Sequence, residues 1–90
     1  YGAKAFSSNL ISKCTDIIRK LDYQPSLTPT GRESIQIEYD YKDGRYLEFE
    51  IFNEKISIFR INKEGVESTH EINLDDNSVN ILNKELRNFI

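Results

Sequence analysis

Leu10, Cys14, Ile17, Ile18 and Leu21 recur at steps of three and four residues, which stacks them on one side of a helix while Lys13, Asp16, Arg19 and Lys20 point outward. The pattern predicts an amphipathic helix capped by Ser7 or Ser8 and ending near Asp22. From Gln24 to Arg32 the prolines Pro25 and Pro29 and Gly31 break any period, and the segment reads as a surface connection of about ten residues, longer than most in compact domains. From Ser34 onward the period becomes two. Ile35, Ile37, Tyr39 and Tyr41 alternate with Gln36, Glu38 and Asp40, and Leu47, Phe49 and Ile51 alternate with Glu48 and Glu50. Two further strands follow, Lys55 to Ile61 and a weaker one from Val66 to Ile72. Val79, Leu82, Leu86 and Phe89 then form a second helical stripe behind Asp75 and Asp76, whose charge suits a helix N-terminus.

The turns fix the register. A two-residue Asp43-Gly44 turn would set Ile37 opposite Glu50 and Tyr39 opposite Glu48, mixing the faces. A three-residue loop of Lys42, Asp43 and Gly44, with Gly44 left-handed in a bulge, instead pairs Tyr39 with Leu47 and Ile37 with Phe49. A tight Asn53-Glu54 turn brings Ile56 opposite Ile51 and Ile58 opposite Phe49. A second glycine-terminated loop, Lys63-Glu64-Gly65, sets Ile58 opposite His70 and Ile56 opposite Ile72. The expected order is helix, a four-stranded antiparallel meander, and a C-terminal helix. With one apolar sheet face and one apolar stripe per helix, both helices pack on the same face, giving a two-layer α+β domain.

The other face carries Glu38, Asp40, Glu48, Glu50, Glu67 and Glu71 against Lys55 alone among the cations. Glu38 lies across from Glu48, an arrangement that costs stability. Beside these acids stand Tyr46, Phe59 and Ile61, with Tyr46 and Ile61 cross-strand neighbours. Two readings are open: an ordinary solvated face with a few partly covered rings, or a binding surface on which acids steer a basic protein while Tyr46 and Phe59 anchor it.

The chain has 90 residues, 38% of them hydrophobic and 30% charged, with a net charge of −3. This is one domain spanning 1–90 with a modest core, too small for a second one and too apolar for a disordered tail. The chain opens on Tyr1 without an initiator Met, so residues upstream of it are expected. A single cysteine excludes an internal disulfide, and no apolar run approaches a membrane span, so no membrane role and a cytoplasmic location are expected. The negative sheet repels phosphates, which disfavours nucleic acid there.

No catalytic constellation emerges, and an enzyme is not expected. His70, the sole histidine, has no nucleophile or orienting group in its pattern and reads as a packed strand residue. Cys14 sits on the buried helix stripe, without the electropositive niche of a reactive thiolate. Glu38, Glu48 and Glu50 lack the loop geometry of calcium sites, and no metal or cofactor is expected. Thr28-Pro29-Thr30-Gly31-Arg32 has neither the glycine spacing nor the Lys-Ser/Thr of a phosphate loop. Arg32 and Arg45 are isolated cations, and Lys13, Arg19 and Lys20, with Lys4 upstream, make a minor basic patch on the first helix.

Three stretches carry a resemblance. Tyr1-Gly2-Ala3 looks like the end of the Asn-Trp-Asn/Asp-Gly-Tyr-Gly-Ala opening of a group of small bacterial and phage-associated proteins, whose tryptophan-containing half does not occur here. Pro29-Thr30 followed by Ser34-Ile35-Gln36-Ile37-Glu38-Tyr39 is similar to that group's proline lead-in and first strand. Gly44-Arg45-Tyr46-Leu47-Glu48-Phe49-Glu50-Ile51 resembles its second. The resemblance implies a stand-alone bacterial domain, often encoded beside a second small gene in the manner of antitoxin, immunity or phage-defence pairs.

Residues and resemblance together lead to the expectation of a protein-binding module that neutralises a basic partner through Glu38, Tyr46, Glu48, Glu50, Phe59 and Ile61. The alternatives are a nucleic-acid-binding accessory using the first helix and Arg32, or a homodimeric structural module joined through the same face.

Overall fold

The switch from helical to alternating periodicity at Ser34 is where the sheet's main hairpins begin in the computed structural model, which describes residues 8–30, 33–41 and 43–89. In chain order the elements are α1 (Ser8–Lys20), β1 (Ser26–Pro29), β2 (Ile35–Asp40), β3 (Tyr46–Ile51), β4 (Lys55–Ile61), β5 (Glu67–Asn73) and α2 (Ser78–Phe89). The strands form one antiparallel sheet in the order β1-β2-β3-β4-β5. The fold is α+β, with five strands where the sequence predicts four.

The additional strand is β1. It pairs with β2 through Leu27 opposite Ile37 and Thr28 opposite Gln36. Its prolines made the segment read as a plain connection, yet a short edge strand accommodates a proline when the missing N–H would have pointed away from the sheet. Here the Thr30 N–H donates to the Ser34 carbonyl, so the backbone groups of the even-numbered residues of β1 point to β2 and the backbone nitrogen of Pro29 points away from it. Between β1 and β2, Glu33 takes a left-handed φ of 57°. Gly31, Arg32 and Lys42 lie outside the described residues, as do Lys4, Ser7 and the Tyr1-Gly2-Ala3 opening.

The remaining registers agree with the alternation. Tyr39 pairs with Leu47, Ile37 with Phe49, and Glu38 with Glu48. Ile51 pairs with Ile56 and Tyr46 with Ile61, and across the next pair Ile58 faces His70. Gly44 has φ 95° and donates its N–H to the Tyr41 carbonyl, while Tyr41 N–H bonds Arg45, closing the bulged hairpin. Gly65, at φ 82°, plays the same part between Asn62 and Val66. At both sites a side chain would meet the steric cost of the left-handed region. Asn62 Oδ1 also accepts from the N–H groups of Glu64 and Val66, fixing the second loop.

The core lies between one sheet face and the two helices. Leu10, Cys14, Ile17 and Leu21 of α1 meet Ile37, Leu47, Phe49, Ile51, Ile56 and Ile58 of the sheet and Leu82, Leu86 and Phe89 of α2. Fully burying such a side chain contributes about 1.5–3 kcal/mol. Burial also pushes the Cys14 thiol up to about 11, so at neutral pH it is an inert core group.

Polar groups lock the helices in place. Asn83, buried on α2, donates from Nδ2 to the Lys20 carbonyl and accepts from the Asp22 N–H, terminating α1. Ser78 Oγ accepts from the Asp75 N–H, and Asp75 Oδ1 accepts from the Asn77 N–H, a reciprocal cap at the start of α2. At the other end of α2, Arg45 donates to the Phe89 carbonyl at 2.6 Å and lies 4.3 Å over the Tyr41 ring, which itself stacks on Phe89 at 5.2 Å. Arg45, isolated in the sequence, is thus the C-terminal cap of α2.

Candidate interaction face

Alternation along β2, β3 and β4 sends every second side chain to the sheet face opposite the helices. The hydrogen-bonding pattern then sets how close each cross-strand pair comes. Tyr41 N–H bonds the Arg45 carbonyl, so odd-numbered pairs of β2 and β3 exchange hydrogen bonds and Glu38–Glu48 is a non-hydrogen-bonded pair, the closer of the two types. Two carboxylates therefore face each other at short range. Each has a local donor: Gln36 Nε2 donates to Glu38 Oε1, and the Tyr46 hydroxyl donates to Glu48 Oε1 at 2.7 Å. Both acids remain half-buried.

Tyr46 and Phe59 meet edge to face, their ring centroids 6.0 Å apart with an interplanar angle of 61°. Phe59 is directly opposite Glu48, and Ile61 directly opposite Tyr46, so the two rings and Ile61 form a half-buried apolar group bordering the acids. The Tyr46 hydroxyl is shifted upward well beyond the ordinary phenol range, first by burial, then by its hydrogen bond to Glu48 and the charges of Glu48 and Glu38. It stays a neutral donor throughout the physiological range.

Glu50 differs from the solvated acid expected from alternation. It is only 9% exposed and accepts a 2.6 Å hydrogen bond from the Ser34 hydroxyl, itself fully buried. The Thr30 hydroxyl lies 2.5 Å from Ser34 Oγ, extending the chain of contacts to the end of β1. Alternation identified the face correctly and missed the hydrogen bond from Ser34 that holds Glu50. Glu50 is part of the frame, and the accessible acids beside the rings are Glu38 and Glu48.

Farther along the same face, Lys55 sits 5.0 Å over the Phe52 ring and 3.4 Å from Glu71, neutralising that corner. The negative character is therefore concentrated on β2 and β3.

The other candidates are dispersed. His70 lies opposite Ile58 as its strand register requires, but its side chain is 47% exposed, with Nε2 3.7 Å from a Glu85 carboxylate that also pairs with Arg60. It is a half-exposed residue of the sheet's edge strand, facing Glu85 of α2, where the sequence suggested a packed one. On α1, Lys13 donates to the Asn53 carbonyl at 2.6 Å. Lys13 and Lys20 line a cleft of about 500 Å³ shared with Asp16, Asp75 and Asp76, so the basic patch is interleaved with acids. Arg32 lies outside the described residues. Among the described residues no cluster of metal-ligating side chains occurs and no helix is long and apolar enough to cross a membrane.

Asn83 and Arg45 were not identifiable as structural keystones beforehand, since their partners are 63 and 44 residues away in sequence. Comparison of the chain with protein families, with curated proteins and with solved structures finds no match in any of the three.

Proposed function

We propose that the protein is a non-enzymatic, cytoplasmic binding module that captures and neutralises a basic protein partner through the outer face of β2, β3 and β4, in the manner of an antitoxin or immunity protein. The observation that carries this reading is the Glu38–Glu48 pair, held in the closest cross-strand position beside the Tyr46–Phe59 rings on the side of the sheet opposite the helices. Opposed carboxylates lower fold stability, and a cation from a partner placed between them would relieve that repulsion. The half-buried Tyr46, Phe59 and Ile61 supply apolar area that a partner could cover, with the Tyr46 hydroxyl held in place by Glu48. Glu50, two residues along β3 from Glu48, is fixed on the same face by the Ser34 hydroxyl.

Affinity co-purification from the native cell tests the reading. The wild-type protein should retain a basic protein that is released by salt, and the Glu38→Lys/Glu48→Lys double variant should lose it while keeping its thermal stability. Retention of the same partner by the folded double variant would refute the proposal. On a polyanion resin at moderate salt the protein should flow through; firm retention would favour nucleic-acid binding by α1 instead.

A further inference from the structure

The two edges of the sheet are built differently. β1 has four residues, and at Pro29 its outward side lacks an N–H, which blunts that edge against further pairing. β5 has seven residues and neither proline nor lysine, and nearly all of it is exposed. Asn62 N–H bonds the Val66 carbonyl and Leu74 N–H bonds the Glu54 carbonyl, so the even-numbered residues of β5 turn their backbone groups toward β4. Those of Glu67, Thr69 and Glu71 point away from the sheet. The free stretch ends at Asn73, whose carbonyl accepts from Ser78 Oγ.

We propose that this edge pairs with β5 of a second copy, antiparallel about a two-fold axis at His70. The outward groups are odd-numbered, so a symmetric ladder near the centre of the strand can place Thr69 opposite Thr69, Thr69 opposite Glu71, or Glu71 opposite Glu71. The first register sets Glu67 against Glu71 of the other copy, and the third sets the two Glu71 side chains face to face. Both are penalised by like charge. The middle register has neither fault. It exchanges hydrogen bonds between Thr69 and Glu71, places Glu67 opposite Asn73, Ser68 opposite Ile72 and His70 opposite its own copy, and sets Val66, 60% exposed in one chain, opposite Leu74. The two Glu71 side chains are then diagonal, each already paired with its own Lys55. The acids of β5 thus leave one self-complementary register. Because the axis is perpendicular to the sheet, both outer faces lie on the same side of a continuous sheet.

Sedimentation or light scattering across a concentration series should show a reversible monomer–dimer equilibrium for the wild type. Thr69→Pro removes an outward N–H that β4 does not use, and should yield a folded monomer. Cysteine scanning reads the register independently. His70→Cys should form a disulfide-linked dimer under mild oxidation, because a non-hydrogen-bonded pair brings Cα atoms to about 4.5 Å, within disulfide range. Thr69→Cys and Glu71→Cys, diagonal to their copies at about 7–8 Å, should link poorly. Cys14 is buried and does not compete. A wild-type protein that stays monomeric at every concentration would overturn the proposal, as would more efficient linking at position 69 or 71 than at 70.

Discussion

The two faces of β3 take three residues each from one six-residue strand and are held by different physics. On the helix side Leu47, Phe49 and Ile51 are fully buried among apolar neighbours. On the opposite side Tyr46, Glu48 and Glu50 are also largely covered, but by hydrogen bonds and by one another: Tyr46 to Glu48, Ser34 to Glu50, and Tyr46 against Phe59. The inner face draws its stability from area removed from water, and a polar group there, such as the Tyr39 hydroxyl bonded to the Tyr23 carbonyl, needs a partner. The outer face is a polar frame around a few rings, and it keeps charge accessible at the cost of an unfavourable Glu38–Glu48 contact. The first arrangement specifies the fold, and the second leaves a surface with recognisable chemistry.

The contrast is most easily broken on the inner side. Phe49→Ala should lower stability by about 3–5 kcal/mol in urea unfolding, a large share of what a small domain possesses. A smaller loss would mean that the core collapses around the gap. Glu50→Ala should cost about 1–3 kcal/mol, because it leaves the Ser34 hydroxyl buried without that acceptor. If Glu50→Ala were neutral, the carboxylate would belong with the accessible acids after all.

Alkaline pH probes both faces together. Tyr39, on the inner side, is raised to about 12, first by burial and then by the Asp22 charge, and Tyr46 on the outer side is also raised. Each phenol ionises more readily in the unfolded chain, near 10. The stabilisation is therefore complete below about pH 10 and is lost as pH rises through the folded values. Absorbance titration should show both tyrosines ionising late, with unfolding as they do, and Tyr46→Phe should weaken this dependence. The smallest effect is expected from Glu48→Gln, which removes the repulsion with Glu38. Stability should rise by about 0.2–1 kcal/mol at low salt, and the gain should shrink as salt is added.

Much of this contrast was legible in the chain. The period-two alternation, with Gly44 and Gly65 ending three-residue loops, determined which residues share a face, and one register alone kept apolar residues together. What alternation could not convey was cover. β1 was hidden because prolines break the pattern of a strand even where, as at Pro29, the lost N–H faces outward. The burial of Glu50 could not be anticipated either, since its partner Ser34 sits just before β2, 16 residues away in sequence. His70 failed in the opposite sense: the register was right, but β5 is the edge strand and the side chain stays half-exposed beside Glu85. The helix locks made by Asn83 and Arg45 depend on which ends meet in space, which no local pattern encodes.

The central functional claim is that the acid-and-ring side of β2 to β4 is where a basic protein docks. Titrating the isotopically labelled protein with the co-purified partner and following amide chemical shifts tests it residue by residue. The account predicts perturbations centred on Glu38, Tyr46, Glu48, Phe59 and Ile61, fading as salt is raised. Perturbations centred on α1, with those five residues unmoved, would contradict it.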